Sequence, residues 1–294
     1  MPAAQANGIS VYYETQGEPS GRPVLLLMGL GAQLIRWPQE LRRTLVERGM
    51  RLVLPDNRDV GLSSHLDAAG MPDFSALAKK GAGALSAPYT LSHMAADMAA
   101  LLDFLGIEKA LVAGISMGGM IAQTMAIEHP EKVAGICIIA STSGAPDLPP
   151  PAPEALAGLW SVPPADREGN VRHMVGVYTT FAGGSEDFDP ECERKKSEQS
   201  FDRDFYPPGV ARQVAAILAS GSRREKLRRV SVPCAVVHGD CDTLLPPAHG
   251  RDVAESVPGA SFRLIPGLGH GLCYPALIGE IADEIARLKD IAAW

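Results

Sequence analysis

Apolar residues recur along the chain in two alternating patterns, one typical of β-strands and the other of helices. Short apolar runs predict buried strands at 9–14, 23–28, 51–54, 110–114, 133–140, 233–238 and 261–265. Apolar positions at helical spacing follow Thr90 as far as Gly106, and similar runs predict helices over 117–128 and 274–288. Strands that alternate with helices favour an α/β fold, a mostly parallel sheet with helices on both faces. Functional groups then gather at the carboxyl ends of the strands.

This pattern breaks at a proline cluster in the middle of the chain, at 143–153. Such a cluster cannot continue a helix or a central strand. From there to residue 230 there is no convincing strand, only short helical runs at 167–182, 190–200 and 209–220. The sequence therefore predicts an α/β core formed by 1–144 and 231–294, with an inserted helical cap, or lid, over 145–230.

Composition and charge describe an ordinary globular protein with an acidic balance. Of the 294 residues, 46% are hydrophobic and 21% are charged, which is sufficient for one large core or a core with an added lobe. The formal net charge of −7 argues against nucleic acid as a partner. The first residues carry no leader pattern and no apolar run approaches a membrane span, so we expect a cytoplasmic protein without a membrane partner. The sequence does not determine the oligomeric state, and a homodimer is one alternative.

Five cysteines are scattered along the chain without a C-x-x-C pair. An odd and scattered set indicates a reducing compartment rather than a disulfide framework. Cys137 and Cys234 lie inside predicted strands and are expected to be buried apolar residues. Because no histidine, cysteine and aspartate residues have the spacing of a zinc site, we expect no metal.

A serine stands between two glycines where a predicted strand gives way to a predicted helix. In the segment 110–120, Gly114 and Gly118 flank Ser116 in a G-x-S-x-G pattern. The pattern is typical of a nucleophile elbow, in which glycines permit a strained turn that exposes the serine. The N–H of Met117 would lie at a helix N-terminus, where it can stabilise an oxyanion. The alternative is a glycine-rich turn with an incidental serine.

An acid and a histidine follow this serine in the chain order that an elbow of this kind requires. An acidic loop with Asp240 and Asp242 follows the strand at 233–238, and a glycine-rich turn with His270 follows the last predicted strand. Of the seven histidines, His270 occupies the position that this order requires. Asp240 stays an alternative to Asp242, because the side chain of either residue in this loop could point toward the histidine.

With these segments the chain resembles the α/β-hydrolase superfamily, and within it the capped small esterases close to aclacinomycin methylesterase. The resemblance covers residues 8–143 and 230–290. It is also carried by the strand and glycine loop at 24–31, by D-N-R-D-V-G-L-S at 56–63, and by G-D-C-D followed by Pro246.

The resemblance implies a serine hydrolase that needs no cofactor. Ser116 would be the nucleophile, His270 the general base and Asp242 the acid that orients it. The N–H groups of Leu30 and Met117 would form the oxyanion hole. The reaction would pass through an acyl-enzyme on the serine.

Several residues lie outside the family pattern or outside this role. The chain has Met28 where many relatives carry histidine, and Asp59 where many carry glycine. We interpret Asp59 as part of a local ion pair with Arg58, with plain surface packing as the alternative. His238 at a strand end is interpreted as a core residue with satisfied polar atoms. The basic run 223–229 is interpreted as a solvent-exposed segment that leads the chain back into the core, with an anion site as the alternative.

The sequence thus predicts hydrolysis of carboxylic esters, with a small-molecule ester of small to medium size and largely apolar character as substrate. The candidates for its pocket are apolar cap residues, namely Trp160, Met174, Tyr178, Phe181, Phe205 and Tyr206. A lactonase or C–C bond hydrolase would use the same triad, and a small-molecule receptor with vestigial turnover could share the fold. A nicotinamide oxidoreductase is disfavoured because the segment 29–34 lacks the third glycine of G-x-G-x-x-G.

Overall fold

The centre of the molecule is a twisted sheet of eight strands. The computed structural model describes residues 3–75, 86–292 and 294. Its strands are β1 (Ala3–Ala6), β2 (Ile9–Gln16), β3 (Arg22–Leu27), β4 (Met50–Pro55), β5 (Ala110–Ile115), β6 (Val133–Ile139), β7 (Cys234–Gly239) and β8 (Ser261–Ile265). They are arranged in the order β1-β2-β4-β3-β5-β6-β7-β8. β2 runs antiparallel to β1 and β4, and every other pair of neighbours is parallel.

Helices occupy most of the connections between these strands. They are α1 (Gln39–Glu47), α2 (Leu91–Phe104), α3 (Met117–Glu128), α4 (Pro153–Trp160), α5 (Arg167–Phe181), α6 (Pro190–Arg203), α7 (Pro207–Ser220), α8 (Arg224–Leu227), α9 (Ala248–Ser256) and α10 (Ile278–Ile291). Within the part of the chain that the structure describes, none of the helices combines the length and the apolar character needed to cross a membrane.

The sheet is buried on both faces because successive side chains of its strands point into two separate apolar clusters. On β5, Leu111 and Val112 belong to opposite clusters, and each is at most 1% exposed. Helices α2 and α3 cover the face that receives Val112, whereas α1 and α10 cover the face that receives Leu111. The α/β architecture predicted from the alternation of elements is confirmed.

All seven strands predicted from the sequence are present, but β1, α1, α4, α8 and α9 were not predicted. β1 consists of alanines and one glutamine, which carry no strand signal, and it is held at the sheet edge by antiparallel pairing with β2. α1 buries only two of its nine residues, Leu41 and Leu45, so its apolar pattern is sparse. α9 is similarly short. The sequence pattern was too weak in each of these elements to predict it.

Between residues 145 and 230, all of which the structure describes, the chain forms helices α4 to α8 and no strand. The three predicted helical runs are confirmed as α5, α6 and α7. Pro153, Pro190 and Pro207 each stand at the start of a helix, where the missing N–H would have no partner in any case. Prolines that mark breaks in the sequence pattern therefore begin three of these helices. The assignment of 145–230 as a separate cap stays a prediction.

Candidate active site

Ser116 lies at the carboxyl end of β5, directly before the first residue of α3. Its φ of 54° falls in the left-handed region that side-chain-bearing residues avoid, so the turn is strained. Two hydrogen bonds hold it: the Ser116 N–H donates to the Ile139 carbonyl at 2.9 Å, and the Ser141 hydroxyl donates to the Ser116 carbonyl at 2.7 Å. The strand, turn and helix predicted for this segment are present.

Two glycines make this turn possible by letting the strand and the helix cross closely. A Cβ at Gly114 would lie 2.2 Å from the Gly118 carbonyl oxygen, and a Cβ at Gly118 would lie 2.1 Å from the Leu27 carbonyl oxygen. Neither position can carry a side chain unless the backbone moves. The spacing of glycines around the serine is thus a direct record of the close crossing.

The two N–H groups predicted to bind an oxyanion belong to Met117, which follows Ser116, and to Leu30, which follows a glycine packed against Ser116. Gly29 packs against Ser116, since a Cβ at Gly29 would be 3.7 Å from the serine hydroxyl oxygen. Leu30 follows Gly29, and Met117 is the first residue of α3. Among the hydrogen bonds of the described residues, the Leu30 and Met117 N–H groups donate to no protein acceptor. Both are therefore free to donate to a bound oxygen.

His270 and Asp242 form a buried hydrogen-bonded pair after β8 and β7. Nδ1 of His270 lies 2.8 Å from Oδ2 of Asp242. The other carboxylate oxygen accepts the N–H groups of Leu244 at 3.0 Å and Leu245 at 2.7 Å. Burial raises the pKa of the Asp242 carboxyl, but the adjacent His270 and His238 rings outweigh it and lower the pKa to about 2. Asp242 is thus a carboxylate at neutral pH, and the ring nitrogen that faces it carries the proton.

Asp240, the rival acid, faces away from this pair. Its side chain is exposed, and its Oδ1 accepts the N–H of Gly267 at 2.8 Å. Within the described residues its carboxylate forms no hydrogen bond with a histidine ring. The geometry therefore favours Asp242 as the partner of His270.

His238 is a second histidine against Asp242, and the prediction that all its polar atoms are satisfied is wrong. The side chain is fully buried. Its Nε2 lies 2.7 Å from the Leu245 carbonyl oxygen and 3.4 Å from Oδ2 of Asp242, whereas its Nδ1 has no hydrogen-bond partner. His238 precedes the acid by four residues, which was the available sequence signal.

Across the described residues, no group of three or more histidine, cysteine, aspartate or glutamate side chains could hold a metal ion.

Two of the predicted pocket residues lie beside His270. The Phe181 ring stands edge-on to the His270 ring, with centroids 5.9 Å apart. The backbone N–H of His270 donates to the backbone carbonyl of Phe181 at 3.1 Å. Tyr178 packs against the next residue, since a Cβ at Gly271 would lie 3.4 Å from the tyrosine ring. The C-terminal turn of α5 therefore forms an aromatic wall next to the histidine.

The other four predicted pocket residues have different surroundings. Trp160 at the end of α4 is 45% exposed and stands edge-on to Phe74, with centroids 5.6 Å apart. Met174 is half-buried on α5, one turn before Tyr178. Whether either side chain contacts a substrate stays a prediction.

Phe205 and Tyr206 pack at the junction of α6 and α7. Phe205 stacks on Phe201 with ring centroids 5.0 Å apart. Tyr206 stacks on His65 at 3.7 Å, and its hydroxyl lies 2.5 Å from the guanidinium of Arg212. These contacts support the helices themselves, and a contact with substrate stays a prediction for both residues.

The expectation that Asp59 forms a local ion pair with Arg58 is wrong, as is the alternative of surface packing. Asp59 is fully buried, and both its oxygens accept hydrogen bonds from Arg212 of α7, at 2.8 and 2.9 Å. Arg58 instead pairs with Asp97 of α2 at 2.6 Å. Asp59 has a φ of 66°, in the left-handed region that aspartate tolerates better than most residues.

Further buried contacts join α6 and α7 to the loop after β3. Arg36 forms two hydrogen bonds with Glu193 of α6, at 2.8 and 2.7 Å. Gln213 of α7 accepts the Gly31 N–H and donates to the Arg58 carbonyl, each at 2.8 Å. The loop predicted to supply an oxyanion donor is therefore braced by contacts with α6 and α7.

The interpretation of 223–229 as a solvated return is wrong at its first residue. Arg223 is buried, and it donates to the Thr142 carbonyl at 2.9 Å and to Gln123 at 3.2 Å. Burial lowers the pKa of its guanidinium to about 10. Arg223 thus fastens the end of the helical segment to the loop after β6.

The sheet, the strained serine and the buried acid–histidine pair together define the class of this protein. A family model described as alpha/beta hydrolase fold matches residues 22–276. The chain belongs to this α/β-hydrolase fold family. The resemblance that the sequence motifs indicated is confirmed.

Similar proteins span nearly the whole chain. Rhodomycin D methylesterase DnrP of Streptomyces peucetius is 27% identical over 285 residues, which cover 90% of each chain. A non-heme haloperoxidase of Rhodococcus erythropolis is 26% identical over 282 residues, covering 93% of this chain and 94% of the other. The solved structure of a meta-cleavage product hydrolase from Pseudomonas fluorescens IP01 has a TM-score of 0.76 at 18% identity, covering 99% and 98% of the two chains. The likeness to the solved structure concerns the fold.

Proposed function

We propose that this protein hydrolyses carboxylic esters, with Ser116 as nucleophile, His270 as general base and Asp242 as the acid that orients the histidine. The observation that carries this proposal is the 2.8 Å contact between His270 Nδ1 and Asp242 Oδ2. The pair lies at the same edge of the sheet as the strained serine turn, where the parallel strands end. Similarity to a methylesterase over 90% of each chain supports the choice of an ester.

The protonation of the acid–histidine pair determines how the serine is activated. Because Nδ1 donates to the Asp242 carboxylate, Nε2 keeps its lone pair and can accept the serine proton. The N–H groups of Leu244 and Leu245 hold the carboxylate in place. The resulting imidazolium is stabilised by the negative charge of Asp242, which the low pKa maintains well below neutral pH.

Attack on the ester carbonyl forms a tetrahedral oxyanion, to which the N–H groups of Leu30 and Met117 donate. The N-terminus of α3 adds the favourable end of a helix dipole at the same place. The imidazolium then protonates the leaving alkoxide. Water, deprotonated by His270, hydrolyses the Ser116 acyl-enzyme in the second half of the cycle.

The surroundings of the histidine support an uncharged and largely apolar substrate of small to medium size. Phe181 and Tyr178 offer aromatic surface beside His270. The buried arginines Arg36 and Arg212 are already paired with carboxylates, so neither offers a free positive charge to an anionic substrate. The remaining expectations, of a small-molecule substrate and no nucleic-acid partner, belong to this proposal.

A panel of p-nitrophenyl esters of increasing acyl length tests the proposal. The wild-type protein should release p-nitrophenol in steady state, and Ser116→Ala should lower kcat by about 10³-fold or more. A lactone and a C–C cleavage substrate in the same panel would reveal whether the same residues serve one of those reactions better. Binding of esters without steady-state turnover would instead favour a receptor.

A further inference from the structure

Two cysteines from distant parts of the chain meet beside the candidate site. The Sγ atoms of Cys192 and Cys273 lie 2.7 Å apart, although 81 positions separate the residues in sequence. Cys192 is on the first turn of α6, and Cys273 follows His270 by three residues. The pair therefore bridges the helical segment over the site and the loop that carries the histidine.

Noncovalent contacts already hold the two backbones next to each other. The Asp189 N–H donates to the Cys273 carbonyl at 2.9 Å. The rings of Phe188 and Tyr274, which flank this contact, lie 5.6 Å apart between centroids. A disulfide needs an S–S distance of about 2.05 Å, so the sulfur atoms would have to approach by less than 1 Å. The two thiols are therefore close enough to be joined without a large movement of the sulfur atoms.

The two thiols differ in access and in acidity. Cys192 is half-buried, whereas Cys273 is 2% exposed. The hydrogen bond with Cys273 lowers the pKa of the Cys192 thiol, against the effect of burial and with help from the Lys196 ammonium. The same hydrogen bond and burial raise the pKa of Cys273. Cys192 is thus the more acidic thiol and the one that solvent can reach, as in reactive cysteines. Cys273 is placed to form a bond with its sulfur atom.

The other three cysteines lack this combination. Burial raises the pKa of Cys137 and raises that of Cys234 to about 12. The pKa of Cys241 is also raised, by burial and by the adjacent Asp240 carboxylate. Oxidation should therefore begin at Cys192.

We propose that Cys192 and Cys273 form a reversible redox switch, in which a peroxide converts the thiol pair into a disulfide that ties α6 to the loop of His270. The Cys192 thiolate attacks one oxygen of hydrogen peroxide, the O–O bond breaks, and hydroxide leaves a sulfenic acid on Cys192. Cys273 Sγ then attacks the sulfenic sulfur. The S–S bond forms, the S–O bond breaks, and the Cys273 proton leaves with the hydroxide as water. Two electrons pass from the thiols to the peroxide, and a dithiol reductant reverses the reaction.

The bond would act on both stability and turnover. Closing a loop of this length in the unfolded chain should raise the melting temperature by about 5 °C. Fixing α6 against the histidine loop should restrict the movement that admits substrate and releases product, lowering kcat by about tenfold. The effect on kcat rests on the proposed esterase function, whereas formation of the bond does not.

The bond can be detected directly in this chain. We would treat it with hydrogen peroxide, alkylate the free thiols and digest it with trypsin without reduction. The expected product joins the peptides 173–194 and 264–287, which contain the two cysteines, and dithiothreitol separates them. Cys192→Ser and Cys273→Ser should each abolish the link. The matched control is Cys234→Ala, which removes a buried strand cysteine next to Cys137 and should leave the link intact.

Melting temperature and ester hydrolysis, measured before oxidation, after it and after reduction, complete the test. We expect a reversible rise in melting temperature and a reversible fall in kcat in the wild-type protein, and neither in Cys192→Ser. The inference is overturned if Cys192 is oxidised without a link to Cys273, or if the link forms while both measurements stay unchanged. If the reduced protein hydrolyses no ester, the proposed function fails, while the linked peptides and the melting temperature still decide this inference.

Discussion

The candidate catalytic residues and the helices α6 and α7 are held by different kinds of interaction. Ser116 and Asp242 are positioned by nearby backbone, through a glycine-lined turn and through N–H groups two and three residues along the chain. Helices α6 and α7 are held by buried ion pairs between residues 157 and 153 positions apart, Arg36 with Glu193 and Asp59 with Arg212. Local backbone geometry leaves a motif in the sequence, whereas charge pairing across the fold does not.

The largest effect is expected where the backbone holds the acid. Asp242→Asn should lower kcat by about 10⁴-fold, because an amide cannot keep His270 in the tautomer that accepts the serine proton. Steady-state hydrolysis of a p-nitrophenyl ester measures this loss.

Asp240→Asn is the matched control, since it makes the same change two residues away on an exposed side chain. It should keep kcat within about threefold of the wild-type value. A loss in Asp240→Asn that exceeds the loss in Asp242→Asn would mean that the acid has been assigned to the wrong residue.

The serine turn, the acid loop and the histidine could be predicted because each depends on a few consecutive residues. The G-x-S-x-G spacing records the close crossing at Gly114 and Gly118, and the chain order of acid and histidine follows from the strand order. The partner of Asp59 could not be predicted in this way, because Arg212 lies far away in sequence and only the packing of α7 brings it close. The contact between His238 and Asp242 could not be predicted for a related reason, since it depends on how the loop after β7 folds back.

The ion pairs of the helical segment are expected to dominate its stability. Arg212→Ala leaves the Asp59 carboxylate buried without its charge partner, which should lower the free energy of unfolding by about 3–5 kcal/mol. Urea denaturation at neutral pH measures the change. Arg172→Ala serves as control, because Arg172 pairs with Glu168 on the exposed face of α5 and should cost about 0.5 kcal/mol or less. Equal losses in both variants would show that the buried pair contributes nothing special.

Protonation of Asp242 should lower the free energy of unfolding in a defined range of acidic pH. The pKa of Asp242 is lowered from 3.8 to about 2, so its stabilising contribution is complete above pH 4 and is lost as pH falls through 2. The wild-type protein should therefore lose about 2 kcal/mol more than Asp242→Asn over this range. Urea unfolding of both proteins across the range gives the difference. Parallel curves would contradict the charged contact with His270.

The smallest effect concerns substrate choice at the aromatic wall. Removing the Phe181 or Tyr178 ring should shift the preferred acyl length, by about 1 kcal/mol in discrimination for each methylene accommodated. If this aromatic wall alone sets the preference, Phe205→Ala, which unstacks Phe201 at the junction of α6 and α7, should leave it unchanged; if the predicted substrate contact of Phe205 is also made, the preference should shift in this variant too. The ester panel measures all three variants. If Phe205→Ala shifts the preference and the other two do not, the pocket lies at the junction of α6 and α7.

The central claim is that Ser116 is a nucleophile activated by the buried acid–histidine pair. A fluorophosphonate probe reacts covalently with such a serine, and peptide mass spectrometry locates the label. We expect the label on Ser116, its loss in Ser116→Ala, and strongly slowed labelling in Asp242→Asn. Labelling at a different serine, or labelling that survives Ser116→Ala, would contradict the account.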